Sequence, residues 1–469
     1  MLTNVGLIYG FVLGVLLFFL MFNYNSFVSG GLWGVSNFFL DSFSYYFVVL
    51  TSLVIMFVLV LGVGTTPVYG FLSVGLFVVL VLFFFTSQAF YFFVFFELSF
   101  VFVFLMLVLW GVNPERLEAL NYFMVYSLVG SLPLLSCIIF IQEGCSSMGL
   151  FSWMVGLLAY GTVAHNDDNL GSVLVSELNE GGYWWSDSED SVWSFFFSNQ
   201  VVFIFWVVVF LFKFPAFGVH LWLPKAHVES PVFGSMLLAG IMIKLGVVGI
   251  YRFQSSGKSL FFDYPVVNTF FFYFCFGLVM VNLICSRQYD LKAFVAYSSI
   301  VHMSLVLITI WSGSYMAAVG ALFLSFSHGL CSSALFMNLN SFYVMSGSRN
   351  VVVNSGVIYF FPMLCMFWFV FCSMNCSIPI SLNFFSEVLL IFSGIGFGFW
   401  SVMVFLFNVF FCGLYCLVLY LFVSHGKSNV VVNFVGGFRQ SYVYFLLLWY
   451  HFFLLYFYFL GFNSLGGLS

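Results

Sequence analysis

Charged side chains are scarce in this sequence. Of its 469 residues only 6% are charged, whereas 63% are hydrophobic and 72 are phenylalanine. A soluble domain has about a quarter of its residues charged, so this composition excludes a water-soluble protein and predicts one embedded in a membrane. Eleven Lys and Arg stand against sixteen Asp and Glu. The chain therefore has no basic patch for nucleic acid.

The chain also lacks the residue spacings that hold redox cofactors or metals. Its ten cysteines are scattered through apolar runs, and the closest pairs, Cys372 with Cys376 and Cys412 with Cys416, are four residues apart rather than in a C-x-x-C motif. Packing as small hydrophobic residues is the expected role. The glycine-containing stretch "GIGFGFW" lies inside an apolar run and predicts close helix packing rather than a nucleotide loop. We expect no cofactor and no metal on this chain.

Long apolar runs dominate the sequence and predict membrane-spanning helices. Two runs contain an internal proline, Pro215 and Pro379, which removes an amide donor and predicts a broken helix. Counting the run with Pro379 as one broken crossing collects most Lys and Arg on one side, as the positive-inside rule requires. We therefore predict an all-α polytopic membrane protein with about 13 transmembrane helices. The runs lie near 4–22, 43–63, 68–86, 89–110, 119–141, 195–222, 230–251, 265–285, 291–311, 314–340, 352–396, 398–423 and 441–462.

Four charged residues interrupt these apolar runs: Glu97, Lys213, Lys244 and Glu387. Lys213 comes two residues before Pro215, and Lys244 follows Pro231 by about 20 Å of helix. Glu387 follows the second proline break. Each charge inside a membrane costs roughly 2.5 to 3.5 kcal/mol on insertion scales, so a functional role is the favoured interpretation of the set.

Buried carboxyl and amino groups are suited to proton transfer, because desolvation disfavours the charged form of either group. If Glu97 and Lys213 form a pair that opens, Lys213 loses its anion and can pass its proton to a neighbour. The pair would then act as a gate. A static ion pair that ties two helices together is the alternative.

Four histidines are further candidates. His302 in "SSIVHMSL" and His328 in "SFSHGLCSS" lie in apolar runs beside serines, which fits either a proton relay or hydrogen-bonded packing. His220 and His227 lie close together in the sequence near Lys225. We expect them to line a water-filled entrance to a proton path. A metal site is less favoured, because it would need a third converging ligand.

Several long stretches resemble a known family. They are "FFELSFVFVFLMLVLWGVNPERLEALNYF", "LPKAHVESPVFGSM", "DLKAFVAYSSIVHMSLVL", "SHGLCSSALF" and "SIPISLNFFSEVLL". In order from about 88 to 425, the chain resembles the chain 4 family of mitochondrial NADH:ubiquinone oxidoreductase, respiratory complex I. The resemblance implies two inverted five-helix repeats, each with a broken helix. It also implies that Glu97 pairs with the pump lysine Lys213, Lys244 is the middle lysine, His328 the central relay and Glu387 the terminal carboxylate.

The implied function is proton translocation across the mitochondrial inner membrane, with the gene in the organelle. NADH oxidation and ubiquinone reduction would occur in partner subunits that carry FMN, iron–sulfur clusters and ubiquinone. The implied partners are other membrane-arm subunits, including neighbouring antiporter-like chains, and lipids. A subunit of a stand-alone multi-subunit cation/proton antiporter is the first alternative. A structural membrane scaffold with static ion pairs is the second.

The resemblance also divides the chain. Residues 1–87 hold the N-terminal helices, one fewer than is usual for the family, and the start of the first repeat. Residues 88–251 complete that repeat and include the insert 142–194, which has eight acidic residues and no Lys or Arg. Residues 252–423 form the second repeat, and 424–469 a C-terminal loop and helix. The insert is expected to be solvated and to suit a partner subunit.

Overall fold

The computed structural model describes residues 42–62, 66–86, 88–111, 115–144, 207–261, 265–379, 381–426 and 442–461. The predicted span 4–22, the acidic insert from residue 145 onwards and the first part of the run 195–222 lie outside these residues.

Within the described residues the named elements are all helices, which confirms the all-α fold class. The helices are α1 (Ser42–Leu61), α2 (Pro67–Phe85), α3 (Ala89–Trp110), α4 (Arg116–Gly144), α5 (207–213), α6 (Trp222–Glu229), α7 (Val232–Leu237), a π-turn (Leu238–Met242), α8 (Ile243–Phe261), α9 (Pro265–Cys285), α10 (Leu291–Ile310), α11 (Tyr315–Ser346), a 3₁₀ turn (Val357–Tyr359), α12 (Pro362–Asn375), α13 (Leu382–Ile395), α14 (Phe399–Ser424) and α15 (Tyr442–Gly461).

Local sequence signals set the helix ends. The hydroxyl of Ser314 accepts from the backbone amide of Ala317 at the start of α11, and Gly347 ends that helix with a φ of 68°. The carboxylate of Asp290 caps α10 in the same way. These caps satisfy backbone groups that would otherwise be unpaired at the helix ends.

Both predicted helix breaks occur. Helix α5 ends at Lys213, directly before the turn that contains Pro215. Helix α12 ends at Asn375 and α13 begins at Leu382, so the second break surrounds Pro379. The predicted start of that run at residue 352 is wrong, because 351–361 form turns and a short 3₁₀ segment before Pro362 starts α12.

Eight helices in the described part are long and apolar enough to cross a membrane, and four shorter apolar helices accompany them. Helices α10 and α11 and the α7–α8 path are almost wholly buried, whereas α3, α4 and α14 expose many apolar side chains. Helices that are apolar on every side are typical of a membrane bundle. The chain is a multi-pass membrane protein, and the count of thirteen helices stays a prediction.

Glycines let three helices approach closely at the centre. A Cβ on Gly329 of α11 would lie 3.1 Å from the carbonyl oxygen of Gly240 in the π-turn. A Cβ on Gly246 of α8 would lie 2.9 Å from the Cβ of Phe214, next to Lys213. Close helix approach at small residues is typical of membrane proteins. The first contact brings the segment that contains Lys244 against α11. The second brings the same segment against the one that contains Lys213.

Candidate functional site

The centre of the site is Lys244, on α8 immediately after the π-turn. It is fully buried, and its ammonium donates to the carbonyl of Ala239 within that turn. Its Nζ also lies 3.3 Å from Nδ1 of His328 on α11. A π-turn disturbs the regular backbone ladder and is frequent at functional sites. The turn thus supplies the oxygen that holds a charge in an apolar interior.

Two histidines continue from Lys244 towards the second broken helix. The rings of His328 and His302 are 5.4 Å apart between centroids, and both residues are fully buried. His302 Nδ1 lies 3.0 Å from Glu387 Oε1, although the two atoms are not aligned for a hydrogen bond. Four titratable groups on α8, α11, α10 and α13 therefore form one row, which we call the central row: Lys244, His328, His302 and Glu387.

The predicted contact between Glu97 and Lys213 is not formed. Lys213 Nζ lies over the rings of Phe100 and Phe96, at 4.5 and 5.0 Å from their centroids. In the described part of the chain, Lys213 Nζ and Glu97 Oε1 are buried without a hydrogen-bond partner. The aromatic faces hold the ammonium by cation–π attraction, so the structure shows the pair separated.

The two histidines predicted to line a water-filled entrance, His220 and His227, are both buried, and their place on the entry side stays a prediction. His227 is fully buried against the ring of Phe336, with centroids 4.8 Å apart, and His220 is 4% exposed. Across the described residues, none of their ring nitrogens has a hydrogen-bond partner. Lys225 instead points outward and contacts Glu118 at 3.0 Å. Positions 225 and 227 face opposite ways because a helix turns about 100° per residue.

The Lys225 contact is an exposed ion pair, with 44% and 64% of the two side chains accessible. The hydrogen bond to Glu118 raises the pKa of Lys225 above its ordinary value. Exposed pairs of this kind contribute little to stability because water and salt screen them.

Sequence reasoning missed a partly buried charge cluster where α6, α10 and the loop after α11 meet. Lys292 is 9% exposed, and its Nζ donates to the carbonyl of Ser230 at 3.0 Å. Arg349 lies 3.8 Å from the carboxylate of Glu229 and 3.7 Å from that of Asp290. These charges stand at the ends of apolar runs, where a sequence pattern predicts contact with water. Only the packing of three segments shows that they come together, with Lys292 and Glu229 buried and Arg349 and Asp290 partly exposed.

His451 on α15 was also missed. It is fully buried, and its Nδ1 lies 2.8 Å from the carbonyl of Leu447. Its Nε2 lies 3.1 Å from the hydroxyl of Ser333 on α11, and its ring packs on Phe57 of α1. With both nitrogens satisfied, His451 ties the C-terminal helix to the bundle. A serine partner on a distant helix has no signal in the sequence.

The central row is suited to moving protons. Each of its members can hold and release a proton, and neighbouring members lie 3.3 Å, 5.4 Å between ring centroids, and 3.0 Å apart along the row. No group of three His, Cys, Asp or Glu residues among those described is placed to hold a metal ion. The fold defines an antiporter-like membrane protein.

Comparison with known proteins identifies the family. Residues 86–412 match the family described as NADH:quinone oxidoreductase/Mrp antiporter, transmembrane, and the chain belongs to it. The chain is 35% identical over 350 residues to NADH-ubiquinone oxidoreductase chain 4 of Ceratitis capitata, covering 74% of this chain and 69% of the relative. It is 33% identical over 374 residues to the chain 4 of Artemia franciscana, covering 78% and 83%.

Two solved structures share the fold. A chain of respiratory complex I from Thermus thermophilus with bound NADH superposes with a TM-score of 0.66 at 21% identity, covering 88% of this chain and 85% of that one. A chain of the Mrp complex from Dietzia sp. DQ12-45-1b superposes with a TM-score of 0.79 at 16% identity, covering 100% and 91%. At these identities the likeness shows the fold alone.

Proposed function

We propose that this chain is a proton-translocating subunit of the membrane arm of respiratory complex I, in the mitochondrial inner membrane. The observation that supports it best is the central row, a continuous series of buried titratable groups across four helices. Relatives from Ceratitis capitata, Locusta migratoria and Artemia franciscana are each named chain 4 of NADH-ubiquinone oxidoreductase, which points to the same complex. The high phenylalanine content is consistent with a thymine-rich organellar gene.

In this proposal each member of the central row has a stated part. Lys244 donates its proton to Nδ1 of His328 across 3.3 Å, and the proton continues through His302 to Glu387. Lys244 then recovers a proton from the entry side. The row ends at the broken helix, where the unpaired backbone offers polar groups to water.

Lys213 and Glu97 form the gate of the first repeat. With its ammonium over two aromatic rings, Lys213 has lost contact with its anion, which is the open state. His220 and His227 belong to the entry side.

The chain supplies proton transfer, and its proposed partners supply the redox chemistry. FMN, iron–sulfur clusters and ubiquinone are assigned to partner subunits of the same complex, next to neighbouring antiporter-like chains. The first repeat is proposed to begin within residues 1–87 and to be completed by 88–251, and the second to occupy 252–423, so that each contains one broken helix. Residues 424–469 follow as a C-terminal loop and helix.

The first experiment is native electrophoresis of gently solubilised membranes with in-gel NADH oxidation staining and mass spectrometry. We expect this chain in a very large assembly that oxidises NADH and contains flavin and iron–sulfur subunits. Recovery only in a small, flavin-free membrane assembly would overturn the proposal and indicate a cation/proton antiporter.

The second experiment compares two lysine variants in the assembled complex. Lys213→Ala should abolish most proton pumping while the complex assembles and oxidises NADH, because the gate loses its titratable group. Lys225→Ala removes an exposed lysine and serves as the matched control. A normal proton-to-electron ratio in Lys213→Ala would contradict the assigned role.

A further inference from the structure

The two ring nitrogens of His302 face different helices. Nδ1 lies 3.0 Å from the carboxylate of Glu387 on α13, and Nε2 lies 3.9 Å from Sγ of Cys412 on α14. His302 is fully buried, and Cys412 is 2% exposed. The chemistry of Nε2 is therefore set by a thiol rather than by water.

Cys412 is held in place from two sides. The hydroxyl of Tyr415 donates to its sulfur at 3.2 Å, and the thiol reaches the carbonyl of Asn375 at 3.5 Å. Asn375 is the last residue of α12, directly before the break, and its amide donates to the sulfur of Cys416 at 3.4 Å. The stretch "CGLYC" on α14 thus holds the end of the first half of the broken helix against His302.

A thiol in this place can serve both protonation states of the ring, because it is a weak donor and a weak acceptor. When His302 is neutral with its proton on Nδ1, Nε2 accepts the S–H proton. When the ring carries two protons, Nε2–H donates to Sγ, and the S–H proton turns to the carbonyl of Asn375. In passing from the first state to the second, Nε2 gains one proton from the side of His328, and the thiol keeps its own proton while turning it from Nε2 to the carbonyl of Asn375.

We propose that Cys412 is a positioning residue for proton transfer: it holds the ring of His302 with Nδ1 on the side of Glu387 and stabilises the doubly protonated ring. This inference rests on the proposed function and adds a residue to it. The predicted role of Cys412 as a small packing residue does not account for its contacts with a ring nitrogen, a hydroxyl and a carbonyl.

The titratable groups that face His302 come from three helices. They are His328 from α11, Glu387 from α13 and Cys412 from α14. On the neighbouring α9, Cys285 directs its thiol to the carbonyl of Phe294 instead. Substituting Cys412 therefore changes one contact of the ring and leaves the other two in place.

The test measures proton pumping against pH in the assembled complex. In Cys412→Ala the doubly protonated ring loses its acceptor, so the pH of half-maximal pumping should fall by about half to one unit, the equivalent of one hydrogen bond. Cys412→Val has a similar volume to cysteine but no polar group, and should show the same shift without a cavity. Cys412→Ser keeps a donor and acceptor and should restore the original profile.

Cys365→Ala is the matched control, because this buried thiol on α12 lies outside the central row and should leave the profile unchanged. NADH oxidation and the amount of assembled complex are measured for every variant. An unchanged pH profile in both Cys412→Ala and Cys412→Val would overturn the inference, as would an equal shift in Cys365→Ala. If Lys213→Ala loses pumping while Cys412→Ala keeps the original pH profile, only the positioning role is refuted. If Lys213→Ala pumps normally, the proposed function itself is refuted.

Discussion

Substituting Gly329 by alanine should uncouple the central row without touching a titratable group. The new Cβ would lie 3.1 Å from the carbonyl oxygen of Gly240 and 3.0 Å from the side chain of Leu50. Ordinary contact begins at 3.4 Å, so α11 and the π-turn must separate by about 0.3 Å at this crossing, the kind of small backbone shift that overpacking causes.

The consequence for proton transfer follows from the position of this crossing. His328 precedes Gly329 in the sequence, and Lys244 lies one turn after Gly240. Their contact of 3.3 Å is already long, so the same separation moves it outside the hydrogen-bond range. Overpacking costs about 1 to 3 kcal/mol, and the better helix propensity of alanine returns about 1 kcal/mol. The complex should therefore still assemble.

The assay is the proton-to-electron ratio of the assembled complex in sealed vesicles, with the amount of complex measured on native gels. Gly240→Ala is a matched control, because its Cβ would meet the side chain of Val54 at 3.2 Å and lie 3.7 Å from the opposite carbonyl. It should lower the ratio less than Gly329→Ala. Gly70→Ala, which has nothing within 4 Å, should have no effect. A normal ratio in Gly329→Ala would refute the reasoning that this crossing sets the relay distance.

Three other predictions concern single contacts. Glu387→Gln keeps the size of the side chain but removes the charge beside His302, so pumping should fall by about tenfold or more while NADH oxidation continues; equal pumping would contradict a relay role. Arg349→Ala should lower the stability of the complex by about 0.5 to 1.5 kcal/mol, measured by thermal inactivation in detergent, because the partly buried carbonyl of Val228 and the carboxylate of Glu229 lose a charged partner. The Lys225 and Glu118 pair should persist until the pH rises above about 10.4, the usual lysine value, because the pKa of Lys225 is raised. Titration of that lysine by NMR or selective acetylation checks it, and release of the pair near neutral pH would contradict it.

Several features were predictable because they depend on local chemistry. The breaks at Pro215 and Pro379 follow from a missing amide donor, and both occur. The burial of Lys213, Lys244 and Glu387 follows from the apolar runs around them, and all three are at most 6% exposed. Local rules failed for His227, because its surroundings in the sequence are polar although its side chain faces the interior.

The sequence by itself determined that this chain lies in a membrane, that two of its helices are broken and that charged groups are buried beside the breaks. These properties are sums of local free energies: the transfer of apolar side chains, a lost backbone donor and the cost of a buried charge. Only the tertiary structure decided which groups touch. It placed Lys244 against His328 and His302 between Glu387 and Cys412, and it separated Lys213 from Glu97. The physical reason is that a helix that is apolar on every side has no amphipathic pattern, so its sequence does not show which face packs against which neighbour. Its partners are chosen by where small residues, such as the glycines at the α11 crossing, allow close approach.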